Sequence, residues 1–145
     1  MIRERRNKDK LTSYYNKFIN EGILDPNVHP WVAESWRRCE ARKLNHETMP
    51  VDGVRLSPSE LQHQLELQKD VIEYVDGLFE QNQQYFNSHN LSMLLVDKDG
   101  YVLKNYAMPF FQRSIEDIQG MRVLEEDVGT SSISVARSHN APFLM

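Results

Sequence analysis

Three successive carboxylates, Glu125, Glu126 and Asp127, stand just ahead of Gly129-Thr130-Ser131-Ser132, a dense run of acidic and hydroxyl side chains. Acids at this spacing can wall a ligand pocket, or supply an acid/base group for a small-molecule enzyme that pairs Glu125 or Glu126 with His139. Ahead of a helix start they also complement the helix dipole, which requires no ligand. The Gly-Thr-Ser-Ser segment offers N–H groups and hydroxyls to an anion, and equally supplies a helix cap at Thr130 or Ser131. Capping satisfies the same unpaired N–H groups and is the simpler account.

The other reactive side chains are dispersed. His29, His46, His63, His89 and His139 include no pair three or four residues apart, so no metal site is expected. Cys39 is the single cysteine, which excludes an internal disulfide. Beside Arg37, Arg38 and Arg42 it reads either as a redox-sensitive thiolate or as a small buried hydrophobe on a helix. Asp97-Lys98-Asp99-Gly100 has the opening of a calcium loop, but Tyr101 and Met108 occupy positions that need oxygen ligands. Phosphate-loop, dinucleotide, nucleophile-elbow and His-Glu-x-x-His signatures are all missing. The chain is therefore expected to be no enzyme, with no catalytic residue and no cofactor.

Elements must position these groups. Leu11, Tyr14, Tyr15, Phe18 and Ile19 recur at helical spacing before Gly22, Pro26 and Pro30 break the pattern. Pro30 suits the first turn of a second helix that carries Val32, Ser35, Trp36 and Cys39 and ends near Leu44. Residues 45–56 read as a loop. Ser57-Pro58-Ser59-Glu60 then forms a capping box for a long helix reaching about Phe86. Leu61, Leu65, Gln68, Ile72, Val75, Phe79, Asn82 and Phe86 alternate steps of four and three along it. A second stripe, Leu67, Val71, Tyr74, Leu78 and Tyr85, runs beside the first. The helix thus packs on two things at once: a sheet, and either more of its own core or a second copy. Leu65, Ile72, Val75 and Phe79 are the dimer-contact candidates.

At residue 91 the period changes to that of a strand. Residues 91–96 and 101–106 read as a β-hairpin turned at Asp97–Gly100, where glycine supplies positive φ. Ser114–Ile118 reads as a helical turn ended by Gly120, a short helix follows Ser132, and Ala141–Met145 reads as the start of another strand. The fold class is α+β, with N-terminal helices over residues 1–56 and a second region over 57–145 that opens with the long helix and lays it on a partial antiparallel sheet.

Length and charge bound the function. The 145 residues carry 17 Lys+Arg against 21 Asp+Glu, a net charge of −4, with 40% hydrophobic side chains, enough for a core. Residues 1–43 hold 10 basic and 6 acidic groups, a weak footprint for nucleic acid and better matched to the acidic remainder or to a dimer. The longest apolar run is Met93–Val96, and no apolar stretch follows the basic N-terminus. The expectation is a cytoplasmic chain with no membrane contact.

Several strings together resemble one family. Ser35-Trp36-Arg37-Arg38-Cys39, the hairpin Leu94-Leu95-Val96-Asp97-Lys98-Asp99-Gly100, Gly120 before the acids, and Glu126-Asp127-Val128-Gly129-Thr130-Ser131-Ser132-Ile133-Ser134-Val135-Ala136 are similar, in this order, to the N-terminal sensory region of acetoin-catabolism-type sigma-54-dependent transcriptional activators. The family has Asn where Ser131 stands, and continues into further strands. The resemblance implies a GAF-like, PAS-related fold that is C-terminally truncated here, and a bacterial signal-sensing domain. It also implies ATPase and DNA-binding modules elsewhere in the full-length chain. A small-molecule effector would sit on the sheet, and Met93, Leu95, Tyr101, Leu103, Tyr106, Phe110, Phe111, Met121, Glu126 and Thr130 are the candidate pocket residues. A homodimerisation module without any ligand is the alternative.

Overall fold

The computed structural model describes residues 2–44, 53–89, 91–106 and 118–145, with side chains in the first helix from Asp9 onward. The architecture is mixed: helices α1 (Ile2–Glu21), α2 (Pro30–Ala41), α3 (Pro58–Leu67) and α4 (Lys69–His89), strands β1 (Met93–Val96) and β2 (Val102–Tyr106), then α5 (Glu125–Val128) and α6 (Ser132–His139). The chain divides into two compact units, Met1–Thr48 with Val128–Met145, and Met49–Asp127. A boundary at residue 56 follows the order of the sequence, whereas the folded chain returns its last eighteen residues to the N-terminal helices.

The first unit is built on the apolar faces of α1 and α2. Phe18, Val28, Val32, Ala33 and Trp36 are buried together, with Leu11, Tyr14, Tyr15, Ile19, Leu24 and Phe143 packed around them. Trp36 meets Tyr15 edge-on at 5.0 Å and stacks on Phe18 at 5.8 Å. Pro30 occupies the first turn of α2, and His29 caps it, its Nδ1 accepting from the Trp31 N–H at 3.2 Å. Ser131, rather than Thr130, caps α6: its hydroxyl accepts from the Ser134 N–H at 3.1 Å while Ser134 Oγ accepts from the Ser131 N–H at 2.8 Å. Residues 141–145 form no strand. Phe143 instead packs against Trp31 and His29 in this unit. An aromatic residue after a proline satisfies strand propensity and core packing equally, and the core wins.

In the second unit the expected capping box is present: the Ser57 N–H donates to Glu60 Oε2 at 2.8 Å and Ser57 Oγ accepts from the Glu60 N–H at 3.3 Å. The Ser57 hydroxyl, donating to Glu60 Oε2 at 2.6 Å, and then the Ser57 N–H hold the Glu60 carboxyl below its ordinary pKa. The single long helix is in fact two, because Gln68 leaves the helical region at φ −103 and ψ 14. The Gln68 N–H still bonds Gln64 O, and Gln68 O accepts from Ile72, so the apolar pattern runs through without a break.

The hairpin pairs antiparallel, Met93 with Tyr106, Leu94 with Asn105, Leu95 with Lys104 and Val96 with Val102, with a bulge between Leu95 and Val96. Asp97 Oδ1 accepts from the N–H groups of Asp99 and Tyr101, each at 2.9 Å, and closes the turn. Gly100 is required there twice over. Its φ is +89, and an added Cβ would press into the Leu124 side chain. Backbone bridges extend the sheet by one short segment on each side of Met121: Tyr101 pairs with Arg122, and Arg55 with Met121. Val102, Leu103, Met121 and Val123 are buried around this ladder. Among the described residues no helix is long and apolar enough to cross a membrane.

Candidate functional site

The first unit brings together two strings that lie far apart in sequence. Ser35 on α2 is fully buried, and its hydroxyl bonds Thr130 Oγ1 at 2.7 Å. Cys39, one helical turn further on, places Sγ 3.5 Å from the same Thr130 oxygen. Thr130 sits on the turn after Gly129, whose φ of +77 lets the chain reverse ahead of α6, and whose carbonyl accepts from Ser134 Oγ at 3.2 Å. The result is a half-buried hydroxyl and thiol cluster that locks α6 against α2. Tyr15 borders it, and burial followed by the nearby Cys39 raises its phenol above its ordinary pKa.

Beside this cluster lies an aromatic and imidazole layer. His139 stacks on Trp31 at 4.1 Å with ring planes only 6° apart, and His29 meets Phe143 edge-on at 5.0 Å. His139 Nε2 is 3.9 Å from Glu34 Oε2, too long for a hydrogen bond. A groove of about 490 Å³ opens in the same unit. Leu11, Tyr14, Val28, Val32 and Phe143 give it apolar walls, and Lys10, Asn27 and His29 bring polar groups to it. This size falls within the range of small-ligand sites.

In the second unit the sequence-predicted pocket residues do not converge. The register puts Met93, Leu95 and Tyr106 on one face of the hairpin, while the bulge makes Leu103 the extra residue, between Lys104 opposite Leu95 and Val102 opposite Val96. Leu103 and Met121 are each 2% exposed and belong to the core. Tyr101 is half-buried, and Thr130 belongs to the first unit, where its hydroxyl is engaged by Ser35. Phe110 and Phe111 lie outside the described residues, as does most of the helical turn read at 114–118.

Tyr106 does not face an open site. Its hydroxyl donates to Asp76 on α4, its ring lies 4.9 Å from Phe79, and Lys104 Nζ is 3.5 Å from Asp76 Oδ2. Burial, then the bond to Asp76, raises the Tyr106 pKa well above its ordinary 10.0. A raised phenol pKa means the neutral form is favoured in the folded state, so its contribution is complete below pH 10.0 and declines as the pH climbs toward the folded value. Alkaline unfolding of this unit should therefore steepen above about pH 10, and Tyr106→Phe should remove that dependence while costing about 1 kcal/mol at neutral pH. Chemical denaturation followed between pH 8 and 11.5 checks both; a parallel pH profile in the variant overturns the assignment.

The acidic triplet resolves into three separate roles. Asp127 accepts from Arg122 Nε and Nη2, both at 2.8 Å, and from the Leu124 N–H at 3.2 Å. Glu126 is half-exposed and pairs with Arg122 Nη2 at 3.0 Å, while Glu125 is buried. The Asp127 bonds come first among the causes that raise the Arg122 pKa. Glu126 thus reads as an ion-pair partner, and His139, its suggested catalytic companion, stacks on Trp31 in the other unit. No group of three or more His, Cys, Asp or Glu among the described residues could hold a metal ion.

Of the dimer-contact candidates, Ile72 is buried at 7% exposure, and Leu65, Val75 and Phe79 are half-buried. These residues lie on the stripe that packs within the second unit. What sequence reasoning passed over is the groove of the first unit: the grouping of Lys10, Asn27, His29 and Phe143 depends on the tail returning to α1. Compared with known proteins, the chain matches no family model, no curated sequence and no solved structure.

Proposed function

We propose that this chain is the N-terminal regulatory region of a bacterial sigma-54-dependent transcriptional activator, a GAF-like sensory segment that controls an ATPase module elsewhere in the full-length protein. The supporting observation is the bond between Ser35 and Thr130, 95 residues apart. It joins the Ser-Trp-Arg-Arg-Cys string to the Gly-Thr-Ser-Ser string, the two that carry most of the family resemblance. A shared buried hydroxyl gives both strings one structural reason to exist together.

In this reading the effector is a small, largely apolar molecule carrying an acidic group. It occupies the first-unit groove, with Leu11, Tyr14 and Val32 taking its apolar part and Lys10 its charge. Binding there stabilises the docking of α6 on α2, and a change in that docking is the signal. The chain itself has no catalytic role and contacts neither nucleic acid nor membrane.

Two measurements test this. The coding sequence downstream of codon 145 should contain a Gly-x-x-x-x-Gly-Lys-Ser/Thr loop followed by a helix-turn-helix segment; a stop codon without either overturns the activator reading. A panel of aliphatic and aromatic carboxylates should include a compound that raises the melting temperature by several degrees, since about 100-fold excess over Kd adds about 2.7 kcal/mol. The gain should vanish in Lys10→Glu, which sets a like charge against the carboxylate at an exposed position of the groove wall. No shift across the panel removes the effector from the proposal.

A further inference from the structure

The polar groups that line the first-unit groove have their hydrogen-bonding roles set by their own neighbours. His29 Nδ1 accepts from the Trp31 N–H at 3.2 Å, and a ring nitrogen that accepts carries no hydrogen. The hydrogen of the neutral imidazole is therefore on Nε2, on the side of the ring turned away from the cap. Trp31 and Phe143 hold the ring there, edge-on at 5.2 and 5.0 Å. Asn27 has the opposite role. Its Nδ2 and its backbone N–H both donate to Asp25 Oδ1 at 2.9 Å, which leaves the side-chain carbonyl as the group that it offers. His29 thus presents a donor and Asn27 an acceptor at the end of the connection between α1 and α2, while Lys10 brings a cation from α1. None of the side chains lining the groove is acidic.

We infer that the effector is a 2-hydroxy acid with an apolar side chain, its carboxylate held by Lys10 and the His29 Nε2–H and its hydroxyl donating to Asn27 Oδ1. An unsubstituted acid satisfies the cation and the donor, but it deprives the Asn27 carbonyl of water without giving it a hydrogen, and that loss costs affinity. A hydroxyl on the carbon next to the carboxylate supplies the hydrogen and adds no charge. An ammonium at that carbon also has hydrogens to give, yet it must shed its water beside Lys10 with no acidic side chain in the groove to receive it. The hydroxy acid is therefore preferred over both the unsubstituted acid and the amino acid of the same skeleton. His29 contributes affinity for any carboxylate, and Asn27 sets the preference for the hydroxyl. The inference rests on the groove being the effector site, and it adds the chemical class of the ligand.

Isothermal titration calorimetry of the 145-residue chain near neutral pH tests this with two sets of matched ligands. One is 2-hydroxy-4-methylpentanoate, 4-methylpentanoate and leucine; the other is 2-hydroxy-3-phenylpropanoate, 3-phenylpropanoate and phenylalanine. In at least one set the hydroxy acid should bind about fivefold tighter than the unsubstituted acid, the worth of one net hydrogen bond, and the amino acid should bind weakest. Asn27→Ala should erase the difference between the two acids and leave the affinity for the unsubstituted one unchanged. His29→Ser retains a capping oxygen for α2 but no Nε2–H, and should weaken both acids about tenfold while keeping their ratio. Equal affinity for the two acids in wild type overturns the inference and leaves the groove standing as an effector site, whereas no binding in either set overturns both. A hydroxyl preference that survives Asn27→Ala, or acid affinities unmoved by His29→Ser, overturns the assigned contacts. Should a variant lose its helical circular dichroism signal, the wild-type affinities alone decide.

Discussion

Trp36→Ala is expected to destabilise the first unit by about 3–5 kcal/mol, the cost of removing a large aromatic from a packed core. The side chain is 5% exposed and contacts Tyr15 and Phe18, so its loss opens a cavity between α1 and α2 that neither helix can close without giving up its other contacts. A small domain has only about 5–15 kcal/mol of stability in total, so the variant should approach unfolding at 37 °C. Both tryptophans, Trp31 and Trp36, lie in this unit, so the fluorescence of the remaining Trp31 reports its urea transition selectively. A midpoint within error of wild type would mean that Trp36 does not hold the two helices together.

The second large effect falls on the other unit. Asp127→Ala removes a carboxylate that is only 6% exposed and accepts three hydrogen bonds, two from the Arg122 guanidinium and one from the Leu124 N–H. Bidentate, charge-assisted bonds are the strongest of their kind, and truncating one partner strands the other. Arg122 is a quarter exposed and keeps Glu126, so solvent and that ion pair moderate the penalty, which should be about 2–3 kcal/mol. The consequence should spread along the ladder, because Arg122 pairs with Tyr101 and its N–H bonds Val54 O. Faster hydrogen exchange at the Val102 and Val123 amides, which bond Met121 O and Gly100 O, is the measurement. Glu126→Ala is the control: its carboxylate is about half exposed, and its loss should cost less than about 1 kcal/mol. Equal effects from the two substitutions would refute the clamp.

These two sites show how unevenly the sequence reports the fold. Periodicity and capping chemistry are local, and they identified α2 from Pro30, the Ser57–Glu60 box and the hairpin around Gly100. They did not show the interruption at Gln68, since one residue leaving the helical region alters neither the spacing of Ile72, Val75 and Phe79 nor the hydrogen bonds on either side. The tail is the opposite case. Its composition suits a strand, and only the availability of Trp31 and His29 as partners draws Phe143 into the first unit.

The functional residues divide along the same line. The acidic triplet was visible as a cluster, but its division into a buried Glu125, a half-exposed Glu126 and a clamped Asp127 depends on where Arg122 is held by the ladder. The hairpin residues were grouped by hydrophobicity, which does not distinguish the two faces once a bulge intervenes between Leu95 and Val96.

By itself the sequence determined the α+β character, the helix starts, the hairpin turn and the presence of two apolar stripes along residues 57–86, because each follows from interactions within a few residues. Only the tertiary structure decided which stripe is covered, that Thr130 meets Ser35, and that a groove forms beside His29 and Phe143. Those outcomes depend on contacts between residues tens of positions apart, where the entropy of closing the chain is offset by burial that no local pattern encodes.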